Sequence, residues 1–287
     1  MLKRITMICL VVAVGSLVAY GNPTPYTGTE TGLIALYHLD EASANIGDTV
    51  ADASPNGNDM TVSVANYGKV SGLFGNAVTG VSNGRIQIAG ASAGDFKVPE
   101  VTIETWVSFT QDQLNNLVGT MPMVNRGYGT AYANFTYSLI MYDSGTAGEP
   151  LVRIMWADTT GSGSYTEKKY AFTADTWYHI GTTVTLNSGS NYTGRIWITE
   201  AGVETAVYQT GATASLNYTM NQSTRPVNLF QIDSNIDTDY FPGTMDEVAI
   251  FDYAKDASEF TTLVPEPTTL CLVGLGGFIS LLRRRRR

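Results

Sequence analysis

Cysteine is almost missing from this chain: of 287 residues only Cys9 and Cys271 are cysteines. Both lie in terminal segments expected to be removed, so the mature protein holds neither a disulfide nor a free thiol, which excludes thiol and dithiol redox chemistry. Histidine is as scarce. His38 and His179 are the only two, and both sit in apolar strand-like runs that suit core positions better than a general base. Basic charge is also short: seven of the seventeen Lys and Arg are Lys3, Arg4 and Arg283 to Arg287, leaving ten against twenty-five acidic residues between Asn22 and Val264. Such an acidic domain is repelled by phosphate backbones and anionic membrane surfaces, so nucleic acid is excluded as a partner. Helical periodicity is missing almost throughout, with Asp256 to Leu263 the one short stretch able to form a helix.

The ends carry the longest hydrophobic runs. Lys3 and Arg4 precede an apolar run from Ile5 to Ala19, and Ala19-Tyr20-Gly21 places small residues where a signal peptidase cuts, so residues 1–21 read as a secretory signal peptide. At the other end Val264-Pro265-Glu266-Pro267 is followed by an apolar stretch, Thr268 to Leu282, and then by five arginines. This stretch is short for a helix that must span a bilayer alone and is weakened by Gly274, Gly276 and Gly277. The arginines stay on the cytoplasmic side and act as a stop during export. Three segments result: the signal, an exported domain over 22–263, and a tail over 264–287.

Between them the apolar residues alternate. Val101, Ile103, Thr105, Val107 and Phe109 share one face of a strand, and Thr102, Glu104, Trp106 and Ser108 the other. Similar runs occur at 33–39, 85–88, 137–142, 151–156, 178–186, 195–199, 230–232 and 245–251, separated by turn clusters such as Asn56-Gly57-Asn58 and Asn187-Ser188-Gly189. Many short strands with regular punctuation and little helix predict one all-β domain, a sandwich or jelly roll.

Several motifs appear in a telling order. Gly32-Leu-Ile-Ala-Leu-Tyr-His-Leu-Asp-Glu41, Asp52-Ala-Ser-Pro-Asn-Gly-Asn-Asp59 and Gly75-Asn-Ala-Val78 open the domain; Val101-Thr-Ile-Glu-Thr-Trp-Val107, Trp177-Tyr-His-Ile180 and Phe241-Pro-Gly-Thr-Met-Asp-Glu-Val-Ala-Ile250 follow. Together they resemble the laminin-G-like, concanavalin A-like jelly-roll domains, which implies a β-sandwich over nearly the whole exported part. The tail resembles the PEP-CTERM sorting signals of Gram-negative bacteria. That resemblance implies an exosortase-type processing enzyme as partner, cleavage near Pro265, Glu266 and Pro267, and transient anchoring in the inner membrane before release to the envelope surface or extracellular matrix.

Chemistry is sparse. Glycosidases on this fold carry alternating acids on one strand so that two carboxylates share a face, and no such strand occurs here. The chain is therefore expected not to be an enzyme. Calcium needs six to eight oxygen ligands, and Asp40, Asp52 and Asp246 match family positions where some relatives hold a structural calcium, which makes calcium the expected ion. Exposed aromatics near amides suit a carbohydrate, and Tyr128 and Tyr132 in a glycine-rich loop, with Trp156 and Tyr165 flanking another, are the candidate ligand-binding residues. The expected function is a non-catalytic surface or matrix protein that binds an extracellular glycan or matrix protein. An inert structural component of the envelope or exopolysaccharide, and a polysaccharide hydrolase, are the alternatives.

Overall fold

The computed structural model describes residues 25–41, 44–82, 84–89, 94–127, 131, 135–158, 160–203, 207–220, 225–232 and 239–261. The expected signal peptide and the tail lie outside this range. Sixteen strands are described: β1 (Leu33–Tyr37), β2 (Thr49–Val50), β3 (Met60–Val62), β4 (Gly68–Ser71), β5 (Asn76–Thr79), β6 (Ile86–Ile88), β7 (Val101–Ser108), β8 (Thr120–Gly127), β9 (Phe135–Tyr142), β10 (Leu151–Ala157), β11 (Gly163–Lys169), β12 (Tyr178–Ser188), β13 (Asn191–Glu200), β14 (Val207–Ser215), β15 (Val227–Leu229) and β16 (Thr244–Phe251). Two short helices, α1 (Gln111–Asn115) and α2 (Ala257–Thr261), accompany them.

The strands form two antiparallel sheets. Sheet A runs β14-β13-β12-β7-β16-β5-β4, with β1 also paired to β16, and sheet B runs β11-β10-β9-β8-β15-β6-β3-β2. Their inner faces bury one continuous core that includes Val101, Ile103 and Val107 of β7, Ile180 and Val184 of β12, Leu139 of β9 and Ile154 of β10. This is the jelly-roll β-sandwich that the alternation predicts.

The outer face of β7 departs from simple alternation. Thr102, Glu104 and Trp106 are buried as fully as their inward neighbours, because Tyr26, Lys255 and α2 lie over that side of sheet A. Phe260 of α2 fits where Gly181 of β12 has no side chain; a Cβ there would collide with its ring. Helix α2, within the stretch 256–263 expected to be helical, is thus a clamp on sheet A. Helix α1 was not foreseen, although Thr110 and Gln113 form a capping box at its start. The run expected at 230–232 sits three residues early, as β15, because Phe230 takes a left-handed φ of 68° that ends the strand.

Candidate ligand-binding face

Alternation along β10 sends Val152, Ile154 and Trp156 into the core and leaves Arg153 and Met155 on the outer face of sheet B. The registers of β9, β10 and β11 then set Ile140, Arg153 and Glu167 in one row, and Ser138, Met155 and Tyr165 in the next. Tyr142 lies opposite Leu151 one row further along. The Arg153 guanidinium carbon is 4.9 Å from the Tyr142 ring centroid and 4.2 Å from that of Tyr165. Its Nε and Nη2 both donate to Glu167 Oε2, at 2.9 and 2.6 Å. Glu167 neutralises the guanidinium and fixes it between the two rings, so the tyrosines need not be ordered when a ligand arrives. Tyr142 and Tyr165 remain 39% and 40% exposed, giving a rigid aromatic platform at the β11 edge.

Beyond it the same side of the sheet carries a buried polar row, with Asn125 and Asn228 0% and Ser138 1% exposed, so these groups bond to one another and not to a ligand. Pairing places Ser138 beside Asn125, Asn125 beside Asn228, and Asn228 beside Gln87 across four strands. Asn125 donates to Ser138 Oγ at 2.9 Å, Gln87 to Asn228 Oδ1 at 2.8 Å, and Asn228 to the Gly127 carbonyl at 3.0 Å. Gly127 directly precedes the segment with Tyr128 and Tyr132; those two expected ligand residues lie outside the described residues.

Trp156 is corrected. It is 0% exposed, an inward member of β10, and Gly194 of β13 is glycine because any side chain there would strike its ring. It packs the core and offers no surface to a ligand. The loop after it is held by Asp158, which accepts from Thr160 and Ser162 and from the backbone amides of Asn217 and Tyr218. Burial raises the Asp158 pKa, but these bonds outweigh it and hold the carboxyl below its usual range.

Of the three aspartates named for calcium, Asp52 serves the turn over 52–58, while Asp40 and Asp246 both accept from the turn over 73–76. Asp52 accepts from Leu36 N and Ser54 N with one oxygen, and from Ser54 Oγ and Asn58 N with the other. Asp40 receives the Asn76 amide, and Asp246 the amides of Leu73 and Phe74. Among the described residues no group of three or more His, Cys, Asp or Glu side chains converges as a metal site. The Asp246 environment is unusual in another way. Burial, opposed by the bonds from Leu73 and Phe74 and reinforced by the charges of Glu247 and Asp40, pushes its carboxyl up to about 7. Glu247, at a β-bulge with φ 51°, meets His38 Nδ1 at 2.7 Å, and this bond raises the His38 pKa.

Residues 263–287 match the PEP-CTERM protein-sorting motif. The chain is thus an exported, envelope-sorted protein. Comparison with curated proteins finds no sequence match. Solved structures share its fold. Domain 4 of AbnA, a GH43 extracellular arabinanase from Geobacillus stearothermophilus, in complex with arabinotriose, matches at TM-score 0.55 and 16% identity over 82% of this chain and 100% of that one. The binding domain of botulinum neurotoxin DC in complex with SialylT matches at 0.51 and 12% identity, over 83% of this chain and 52% of that one. Trypanosoma rangeli sialidase with 2,3-difluorosialic acid matches at 0.56 and 14% identity, over 84% and 34%. The chain spans about half of the toxin domain and a third of the sialidase.

The PEP-CTERM motif begins just after α2, and a buried cluster secures that helix. Glu104, fully buried in β7, accepts a hydrogen bond from Tyr26 Oη at 2.6 Å, pairs with Lys255 Nζ, and lies 3.0 Å from His179 Nε2. Burial alone would raise the Glu104 pKa, but His179 and Lys255 together bring it below the usual value, so it is ionised. The Lys255 ammonium also sits 3.6 Å from the Phe251 ring centroid. No spacing rule links positions 26, 104, 179 and 255, so the sequence alone does not reveal this cluster.

Proposed function

We propose that the exported domain is a non-catalytic surface or matrix module that binds an extracellular glycan through the outer face of sheet B. The observation that carries this reading is the pair of exposed tyrosines, Tyr142 and Tyr165, held on either side of a neutralised Arg153. Sugar rings present C–H faces that stack on aromatics, and the two exposed tyrosines offer such faces side by side. Similarity to domains crystallised with arabinotriose and with SialylT supports a saccharide as the ligand class.

Exosortase-type processing belongs to the same proposal: a cut near Pro265, Glu266 and Pro267 frees the domain after transient anchoring in the inner membrane. A glycan and matrix-polymer array with the mature domain tests the binding. Tyr142→Ala and Tyr165→Ala should each weaken the recovered interaction by roughly tenfold, the loss expected of an aromatic anchor. Full binding by both variants, or no polymer retained by the parent protein, would leave the inert structural role. Steady release of reducing ends from a bound polymer would point to the hydrolase instead.

A further inference from the structure

On the outer face of sheet A, beside the part covered by the chain ends, lies an open cleft of about 470 Å³. Its floor is a row of hydroxyls on three neighbouring strands: Thr79 of β5, Thr244 of β16 and Ser108 of β7 stand side by side in register. Thr79 and Thr244 share one hydrogen bond of 3.0 Å, so whichever of them donates, the other hydroxyl keeps its proton for a ligand. One wall is Trp177, half-buried at the entry to β12. Asp175 lines the cleft beside it, in a left-handed conformation (φ 57°) fixed by donation of its amide to the Phe109 carbonyl at 2.7 Å. Gln113 also lines the cleft, but its amide is committed to Thr110 N and the Pro242 carbonyl. Among the described residues that line it, none is Lys or Arg.

We infer that this cleft is a second saccharide site, specific for an uncharged glycan segment, and independent of the tyrosine platform. An indole face stacks on a pyranose ring, a carboxylate accepts from two adjacent sugar hydroxyls, and side-chain hydroxyls both donate and accept, which matches a sugar's own alternation of roles. Charge selects among sugars. A uronate or sialate would bring its carboxylate next to Asp175 with no cation among the described lining residues to offset the repulsion, whereas a neutral unit meets no such cost. The inference rests on the cleft's own geometry, so failure of the tyrosine platform to bind would leave it standing. Two sites on opposite outer faces would let one domain hold two strands of polymer.

The tryptophans supply the test. Trp106, Trp156 and Trp197 are buried, at 5%, 0% and 3% exposure, so Trp177 is the one of the four that a neutral quencher such as acrylamide reaches. Cellohexaose, laminarihexaose and chitohexaose are titrated in turn against the mature domain, with hexagalacturonate as the acidic counterpart. At least one neutral oligosaccharide should protect the fluorescence and hexagalacturonate should not. By calorimetry, Trp177→Ala and Asp175→Asn should each lower that affinity by roughly tenfold or more, the loss expected when an anchoring group is removed. Tyr142→Ala and Tyr165→Ala should leave the protection unchanged, which separates this site from the platform. If Trp177→Ala fails to fold, Asp175→Asn decides, since asparagine tolerates the same backbone conformation. Absence of protection by all three neutral probes, equal protection by the acidic one, or unchanged affinity in the variants would overturn the assignment.

Discussion

The ring of Phe260 in α2 lies nearly flat on Trp197 of β13, centroids 4.3 Å apart and planes at 21°, directly over the space left by Gly181. This stack joins the last described element to the middle of sheet A. Phe260→Ala should cost about 3 kcal/mol, at the lower end of the range for a buried aromatic because α2 is at the chain end and can relax. Urea unfolding reads the loss as a lower midpoint with an unchanged slope; an unaltered midpoint would mean that α2 is not part of the cooperative unit.

Glu104 and Lys255 make a second prediction. Lys255→Met leaves a buried carboxylate without the ammonium it pairs with and should destabilise by about 3 to 5 kcal/mol, whereas the double variant Glu104→Leu with Lys255→Met should recover much of that loss. A double-mutant cycle by chemical denaturation measures the coupling; additive losses would show that the two charges are screened from each other.

Asp246 gives the domain a pH dependence of defined sign. Its ordinary value of 3.8 is raised to about 7 in the folded state, so between those limits the native protein keeps a proton that the unfolded chain releases. The stability that this proton brings is complete below about pH 4 and is lost as pH rises through about 7, to a total of no more than about 4 kcal/mol. His38 acts in the same direction, because its raised pKa means that the charge facing Glu247 disappears on the alkaline side. Asp246→Asn can still accept from Leu73 and Phe74, so its melting temperature should gain on the parent between pH 5 and pH 8. A constant difference across that interval would count against a protonated Asp246.

Gly194→Ala should be strongly destabilising without touching either proposed sugar site, since the added methyl meets the ring of Trp156 in a core with no room to yield. Loss of glycan binding with retained melting temperature would contradict the placement of Trp156 inside the sandwich.

Alternation made the central strands legible. In β7 and β12 the inward residues are mostly apolar and the outward ones mostly polar, so parity set their faces, whereas β10 and β16 also carry apolar residues such as Met155 and Phe251 on the outer side. β8 was missed because Pro122 sits within it at a bulge, and β11 because its sequence, Gly163 to Lys169, has no apolar repeat and is held by pairing to β10. The candidate site was half readable. Tyr165 is an exposed ring beside a loop, but Trp156, nine residues earlier, has the same local signature and differs only in strand parity, which sends it inward. Arg153 and Tyr142 join Tyr165 through cross-strand register, and the sequence does not print register. The hydroxyl row of Thr79, Ser108 and Thr244 arises the same way from three segments far apart in the chain.

The clamp of α2 on sheet A also has a mechanical meaning. A protein held at a surface through its C-terminal end receives any drag from its surroundings along that end. Pull would meet the Phe260 and Lys255 contacts first and then β16, an interior strand bonded to β7 on one side and to β1 and β5 on the other. Drawing β16 out along its length would require its ladders on both sides to slide together instead of opening one bond at a time. The first motif of the exported domain, in β1, is zipped to that same strand, so tension applied at one end of the chain is resisted by residues from the other.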